Sequence, residues 1–593
     1  MGHRKPGLDG LIAEARRRRV FRTAGLYIVG AWVLLQVADL ALESAELPES
    51  LLRYLWLAAF AGFPIALVFG WYYEITPSGI LKTQPAESVA DAELRIGVPD
   101  YVIIGALAIV VAVGAAGLFD QARQARQLAG PYDPTGIAVL PLANLSRSED
   151  QEYFSAGMHD ALMTNLSKIS ALNIVSSTST ARLDRSLGMP AIGRALGVRN
   201  VIEGSVTREG NRVRVIIKLI DAARDAQIWA GNFEREFTSV LALQNEMAMS
   251  VANAVDVRLS ETEQAVLAQS REVDPDVYDA YLRGMYFLNQ PDNRIRRRGI
   301  KILEGVVDEG KADARIYASL AYGYAVLGHS PFPEGMYPAS RVAASKAMEL
   351  DDTIPELHLA VGMHHLYYEW DVAQAEKSLL RAIELSPSLT GAHYHYAWLM
   401  ELLQRSDLAL PAGERTIELD PLSPFMRANL AAQYGNARQY ARALELVEEA
   451  LELQPGHVWA LWAEGQVLFK MGDTAGGLET TSAIAGNPLL GYGHGAMLAA
   501  AGRENEAREI LAGIDKTPRN VLALVSIYAA LGEADEAFYW MSVAEESKLP
   551  WYPWFITWFP ELDELRDDPR MRELAEELGL SEALDRALGW LKA

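Results

Sequence analysis

Five histidines are the clearest candidates for metal chemistry in this sequence. They lie on two successive segments with helical spacing, at His358, His364, His365, His393 and His395. Imidazole and carboxylate groups bind zinc, copper and nickel, and Glu369 and Asp371 follow closely. The alternative, which we favour because the spacing defines no ligand geometry, is that the imidazoles are packed or groove-lining polar groups. His364, His365, His393 and His395 therefore remain candidates only, and we expect no metal.

Nucleophiles for catalysis are scarce. The chain has no cysteine, which excludes a thiol nucleophile, disulfides and cysteine-based zinc sites. Ser176, Ser177 and Ser179 lie near the end of a predicted strand, but the sequence indicates no histidine or aspartate partner for them. The turn in residues 203–211 lacks the glycine spacing of phosphate-binding loops. We therefore expect neither enzymatic activity nor a cofactor.

Aromatic side chains offer chemistry for binding another protein. Many recur at helical spacing, and four are candidates for contact with a partner: Tyr367, Tyr394, Trp398 and Tyr434. A second cluster comprises Trp551, Tyr552, Trp554, Phe555, Trp558 and Phe559. It is either a docking surface or a buried core that caps the last repeat, and we favour the core.

A period of 34 residues organises the region that carries these side chains. The segments AIELSP, TIELDP and ALELQP end at Pro387, Pro421 and Pro455, and a related segment ends one residue out of phase at Asp352. Proline ends a helix because it cannot continue the backbone hydrogen bonds. The pattern resembles tetratricopeptide repeats, which implies a superhelix of helix pairs with a concave groove for a protein or peptide. We predict about eight units over residues 270–548 and a cap over 549–593.

Residues 136–262 alternate between strand and helix patterns. Predicted strands lie at 137–142, 172–176, 201–208, 212–220 and 226–233, and predicted helices at 152–169, 191–196 and 241–259. The segments 137–180, 196–222 and 228–236 resemble the TolB amino-terminal-like domain. That resemblance implies a non-catalytic module, one that often follows a DNA-binding or nucleotide cyclase domain. Neither domain is visible before it here.

Three apolar stretches predict a membrane anchor. Residues 24–42, 54–73 and 101–119 are each long enough to cross a bilayer. Arginines concentrate in residues 1–23, so we expect a cytoplasmic basic tail. Three crossings then place the linker 120–135 and the following domains in the periplasm of a bacterial cell, as part of an inner-membrane protein.

The balance of acidic and basic residues limits the classes of molecule that the chain can bind. The net charge of −23 argues against nucleic-acid binding, which needs clustered basic residues. We therefore predict a mainly α-helical chain: three transmembrane helices, a small α/β domain and an α-solenoid of tetratricopeptide type. Its predicted function is protein binding or scaffolding at the cell envelope. The alternative is a sensory or regulatory subunit that signals across the membrane by acting on a partner.

Overall fold

The computed structural model describes most of the chain beyond residue 131. The described residues are 20, 27, 31, 35, 59, 63, 73–76, 79–82, 132–146, 152–184, 186–268, 272–329, 336–487 and 490–592. The chain forms two compact units, residues 1–127 and 128–593.

In the first unit, six single helical residues and one hairpin are described. Tyr27 and Ala59 are helical, and the Tyr27 hydroxyl donates to the Ala59 carbonyl at 2.8 Å. Strands β1 (Tyr73–Thr76) and β2 (Gly79–Lys82) pair antiparallel. Over the described positions, no helix is both long and apolar enough to cross a bilayer. The predicted spans 24–42, 54–73 and 101–119 lie almost wholly outside those positions.

The second unit begins with the α/β domain, whose strands form one sheet. Its strands are β3 (Asp133–Val139), β4 (Ala143–Asn144), β5 (Asn173–Ile174), β6 (Val198–Glu209), β7 (Arg212–Asp221) and β8 (Ala226–Glu236). The sheet order is β5-β3-β6-β7-β8, with β4 also pairing with β6. β3 pairs in parallel with β5 and β6, whereas β6, β7 and β8 form an antiparallel meander.

Helices cover both faces of this sheet. They are α1 (Glu152–Ser167), α2 (Ser177–Arg182), α3 (Met189–Leu196), α4 (Val240–Ala254) and α5 (Glu261–Ala268). α1 and α4 bury one face, and α2 and α3 lie over the other. The predicted hairpin is confirmed, since Glu209 pairs with Arg212 across a turn where Gly210 has a φ of +60°. The strand predicted at 172–176 is limited to Asn173–Ile174, and α2 was not predicted.

Eight helix pairs follow within the described residues. The first helices are α6 (Pro275–Leu288), α8 (Ala314–Gly328), α10 (Pro355–His364), α12 (Thr390–Leu402), α14 (Pro424–Asn436), α16 (Val458–Met471), α18 (Tyr492–Ala500) and α20 (Val521–Ala530). The second helices are α7 (Asn293–Asp308), α9 (Met336–Leu350), α11 (Val372–Leu385), α13 (Ser406–Leu419), α15 (Tyr440–Leu453), α17 (Thr474–Ser482), α19 (Glu504–Gly513) and α21 (Ala534–Glu546). The result is a mainly helical, tetratricopeptide-like solenoid.

Sequence features explain where these helices begin and cross. Pro275, Pro355 and Pro424 stand at helix starts, where the missing N–H is not needed. Ala375 and Ala409 are fully buried, as is expected where two helices cross closely. Four more elements follow α21: α22 (Trp554–Thr557), a 3₁₀ segment (Pro560–Leu565), α23 (Pro569–Glu577) and α24 (Ser581–Lys592).

A π-helical turn, His365–Glu369, accommodates one extra residue in the third pair. Pro387 follows Asp352 by 35 residues, whereas the later steps are 34. A π turn closes i→i+5 hydrogen bonds and so holds one more residue than an α turn. It ends at Trp370, whose φ is +59°. The out-of-phase unit of the sequence therefore has a structural cause.

Candidate functional site

The chain's own C-terminal segment, residues 549–566, lies on the inner face of the repeats, which the first helices form. The Thr557 hydroxyl donates to the carbonyl of Leu402, 155 residues earlier, at 3.0 Å. The Gln404 side-chain amide donates to the Thr557 carbonyl at 3.1 Å. The segment therefore makes sequence-distant hydrogen bonds at the C-terminal end of α12.

Aromatic rings make most of this contact. The ring pairs that join the segment to the repeats include Trp554–Tyr367 stacked at 5.6 Å, Trp558–Trp462 stacked at 5.4 Å, Trp551–Trp398 edge-to-face at 5.6 Å and Tyr552–Trp370 tilted at 4.9 Å. These separations are typical of favourable aromatic pairs. Five of the six residues of the aromatic cluster are buried and Trp551 is half-buried, which agrees with the favoured interpretation as a core. The location of the cluster differs from the prediction, because it packs against the third, fourth, sixth and seventh helix pairs and not only over the last one.

The segment does not satisfy every polar group on the inner face. The indole N–H groups of Trp554 and Trp558 are buried and find no acceptor among the described residues. Trp398 differs, since its indole donates to the Asn429 side-chain carbonyl at 3.1 Å. Buried donors without acceptors are destabilising. Both donors belong to the segment itself, so they lower the stability of its attachment.

Buried charges lie beside the segment. Glu401 is fully buried and accepts from the Asn436 side-chain amide at 2.6 Å, while its other oxygen has no partner among the described residues. Burial raises the pKa of Glu401 to about 7, against the lowering effects of Asn436 and Lys470. Burial also lowers the pKa of Lys470 to about 8, and its ammonium lies 5.3 Å from the Trp558 ring centroid.

The candidate metal ligands separate into three different environments. His364 and His365 both contact Glu369, at 3.0 and 2.9 Å, and Arg341 pairs with the same carboxylate at 2.9 Å. Burial lowers the pKa of His364 despite this carboxylate. Among the described residues, no group of three or more histidines and carboxylates is arranged to hold a metal. The structure therefore does not bring the four candidates together.

The other histidines bind neighbouring groups of the fold. His358 and His393 occupy the same position of successive repeats, and each ring Nε2 bonds a carbonyl six residues earlier, at 2.7 and 2.9 Å. Arg427 makes the equivalent bond in the next repeat. His395 instead bonds the Tyr367 hydroxyl at 2.9 Å, and burial holds its pKa well below the usual range. These contacts describe packed polar groups.

The candidate partner-binding residues have unequal access. Tyr367 and Trp398 are buried beneath the C-terminal segment, so neither is open to a partner in this conformation. Tyr394 is half-buried against Phe425, with ring centroids 5.7 Å apart. Tyr434 is half-buried and donates to Glu414 at 2.7 Å. Their roles in partner binding stay predictions.

The serines of the α/β domain have an aspartate partner that the sequence did not reveal. The hydroxyls of Ser176 and Ser179 both donate to Asp420, at 2.5 Å each. Asp420 lies in the turn before Pro421, and burial raises its pKa. Ser386, at the same place one repeat earlier, bonds Ser167 at 2.9 Å. The turns between repeats therefore attach the α/β domain to the solenoid. Among the residues that the structure describes, no histidine takes part in this hydrogen-bond network.

The comparisons with known proteins match separate parts of the chain. Residues 134–250 match the family model of the HilA/YgeH-like transcriptional regulator, second domain. This match falls on the α/β domain, for which the TolB-like resemblance stays an expectation. A putative adenylate cyclase 3 of Rhizobium meliloti (strain 1021) is 28% identical over 254 residues, which cover 41% of this chain and 43% of that protein. The chain thus spans less than half the length of this relative.

Solved helical-repeat structures align with parts of the chain at low identity. The type IV pilus biogenesis factor PilW is 16% identical with a TM-score of 0.27, covering 42% of this chain and 97% of that one. Yeast Tom70 is 14% identical with a TM-score of 0.33, covering 57% and 85%. YrrB, a TPR protein with an unusual peptide-binding site, is 20% identical with a TM-score of 0.25, covering 32% and 93%. At these TM-scores the likeness carries no inference about function.

Proposed function

We propose that this chain is a membrane-anchored protein-binding scaffold whose inner repeat face binds an extended aromatic segment of a partner. The observation that carries the proposal is the binding of the chain's own C-terminal segment by stacked and edge-to-face aromatic ring pairs. A surface that binds one tryptophan-rich segment has the chemistry to bind another of the same type.

In this proposal, the resident segment and the partner compete for one surface. The resident segment is tethered, so its effective concentration is in the millimolar range. A partner must therefore bury an aromatic area comparable to that of the resident segment. Competition of this kind makes the scaffold selective for aromatic segments.

We place the scaffold at the bacterial inner membrane, with its N-terminus cytoplasmic and its repeats in the periplasm. Support comes from the apolar stretches 24–42, 54–73 and 101–119 and from the arginines before them. We also propose that the chain is not an enzyme. Its most unusual polar groups, Glu401, Asp420 and His395, contact groups of the fold rather than an open pocket.

A labelled peptide of residues 549–566 tests the binding proposal. The peptide is added to the full chain in detergent micelles. The full chain is used as the wild type and as the variant Trp554→Ala, in which the resident segment is bound more weakly. We expect the peptide to bind the variant at least tenfold more tightly than the wild type. Tyr539→Ala is the control, since Tyr539 is 58% exposed. Equal binding to all three chains would show that the segment is a permanent part of the core.

Crosslinking and pull-down from native membranes extend this test to natural partners. Capture should increase with Trp554→Ala and decrease when Trp398→Ala is added, because the second change removes part of the binding surface. Circular dichroism establishes that each variant is folded. If neither Trp554→Ala nor Trp398→Ala alters the amount of partner captured, the partner binds outside the inner face.

A second candidate function is a sensory or regulatory subunit that acts on a signalling partner. It is favoured by the match of residues 134–250 to a domain of transcriptional regulators and by the similarity to a putative adenylate cyclase. Coexpression with a cyclase reporter tests it. A change in cyclic nucleotide output that depends on the inner face would support signalling, and unchanged output would favour a scaffold alone.

A further inference from the structure

The N-terminal half of α7 carries a row of basic side chains on one side. Arg294, Arg297, Arg298 and Lys301 follow the spacing i, i+3, i+4 and i+7, which places them along one helix face. We call these four residues the basic face. No acidic residue lies between Asn293 and Leu303. The opposite side of the helix is buried at Ile300 and Leu303, so the basic face points away from the solenoid core.

These side chains are largely free of counter-charges. Arg297 and Lys301 are exposed, and neither makes an ion pair or hydrogen bond with any residue in the described part of the chain. Arg294 pairs only with the helix cap Asp292 at 3.0 Å, and its side chain is 92% exposed. Arg298 lies over the Phe287 ring at 4.3 Å. The fold therefore does not use the charges of Arg297 and Lys301.

The position of the basic face is electrostatically unfavourable within the fold. The N-terminus of a helix carries the positive end of the helix dipole, which repels cations. The chain as a whole is acidic, with 77 acidic against 54 basic side chains, so a basic row is a local exception. A cluster that opposes helix stability and lacks partners fits a binding role.

We propose that the basic face binds the anionic phospholipid headgroups of the bilayer in which the chain is anchored. A row of cations matches the repeated phosphates of a membrane surface. Ile295, on the same turn as Arg294 and Arg298, is 38% exposed and can enter the interfacial region beside the charges. This mixture of basic and apolar groups is typical of interfacial helices and favours lipid over an acidic protein. The inference rests on the proposed membrane anchor, which supplies the bilayer, but not on the inner repeat face.

The absence of cysteine allows a direct test on the full chain. An environment-sensitive dye is attached to Ile295→Cys, and the protein is reconstituted in nanodiscs of phosphatidylcholine alone or with 30% phosphatidylglycerol. We expect blue-shifted emission only with phosphatidylglycerol. Replacing all four residues of the basic face with glutamine should remove the shift, because four lost charges lower the local lipid affinity by about 10³-fold.

Controls separate this inference from the anchor on which it rests. Co-purification of the chain with the discs tests the anchor, whereas the dye reports only on α7. A dye at Tyr539→Cys, which is also exposed, should not respond to lipid charge. The glutamine variant should keep the wild-type unfolding temperature or exceed it, since it relieves repulsion at the helix start. Identical emission in both discs, or a shift that remains after the glutamine replacements, would overturn the proposal. Either result would favour an acidic protein as the partner of the basic face.

Discussion

Replacing Trp554 with alanine should weaken the attachment of the C-terminal segment more than any change at an exposed aromatic residue. Trp554 is fully buried, stacks on Tyr367 at 5.6 Å and meets Trp551 edge-to-face at 5.2 Å. Truncating a buried tryptophan costs about 3–5 kcal/mol in packing and cavity terms. The indole N–H has no acceptor among the described residues, so its removal returns about 1 kcal/mol or more. We therefore expect a net loss of about 3 kcal/mol.

Trp554→Phe gives a sharper comparison. Phenylalanine keeps a stacking ring against Tyr367 and removes the unsatisfied donor, so it should cost less than half as much as alanine. Tyr539→Ala is the matched control, with an expected change within about 0.5 kcal/mol, because this side chain is 58% exposed.

Urea unfolding of the full chain in detergent gives the stability change, and amide hydrogen exchange over residues 549–566 shows whether the segment opens locally. A loss for Trp554→Ala no larger than for Tyr539→Ala would refute the assigned packing. Equal losses for the alanine and phenylalanine variants would refute the argument from stacking.

Three further predictions concern buried polar groups. Asp420→Ala leaves two serine hydroxyls without their acceptor and should cost about 2–4 kcal/mol, whereas Gln454→Ala, at the exposed equivalent turn, should cost under about 0.5 kcal/mol; urea unfolding measures both. The pKa of Glu401 is raised to about 7 in the folded chain, which means that the folded state favours the protonated carboxyl. The contribution of this protonated carboxyl to the free energy of unfolding is fully present below the ordinary pKa near 4.5 and is lost as pH rises through 7. Glu401→Gln should therefore gain up to about 3 kcal/mol over the wild type between pH 5 and 9, seen in unfolding against pH. His395 has a depressed pKa, so stability should fall as pH drops below about 6.5, and His395→Gln should flatten this acid limb in the same titration.

Local sequence patterns predicted the regular parts of the fold. The 34-residue period and the prolines at 387, 421 and 455 predicted the positions of the helix pairs, because each proline ends the helix that directly precedes it. The alternation before and after Gly210 placed the hairpin for the same reason. These features depend on residues a few positions apart.

The candidate site was less predictable because it depends on contacts distant in sequence. The sequence identified the aromatic cluster around Trp554, but no local pattern indicates that this cluster packs against Tyr367 and Trp398. The hydrogen bond between Ser179 and Asp420 joins residues 241 positions apart. Ser179 therefore has an aspartate partner although the sequence near it indicated none. The histidine contacts were unpredictable for a related reason, because spacing alone cannot show that His393 bonds a turn carbonyl while His395 faces the interior.

Site-directed photo-crosslinking most directly tests the central claim, that the C-terminal segment fills the inner face of the repeats. A photoreactive phenylalanine analogue replaces Trp398 in the full chain, and the crosslinked peptides are identified by mass spectrometry. Trp398 lies 5.6 Å from Trp551 and 5.3 Å from Trp558, measured between ring centroids. We expect an intramolecular crosslink to residues 551–558 as the main product. Crosslinks that avoid this segment, in a chain that remains folded, would contradict it.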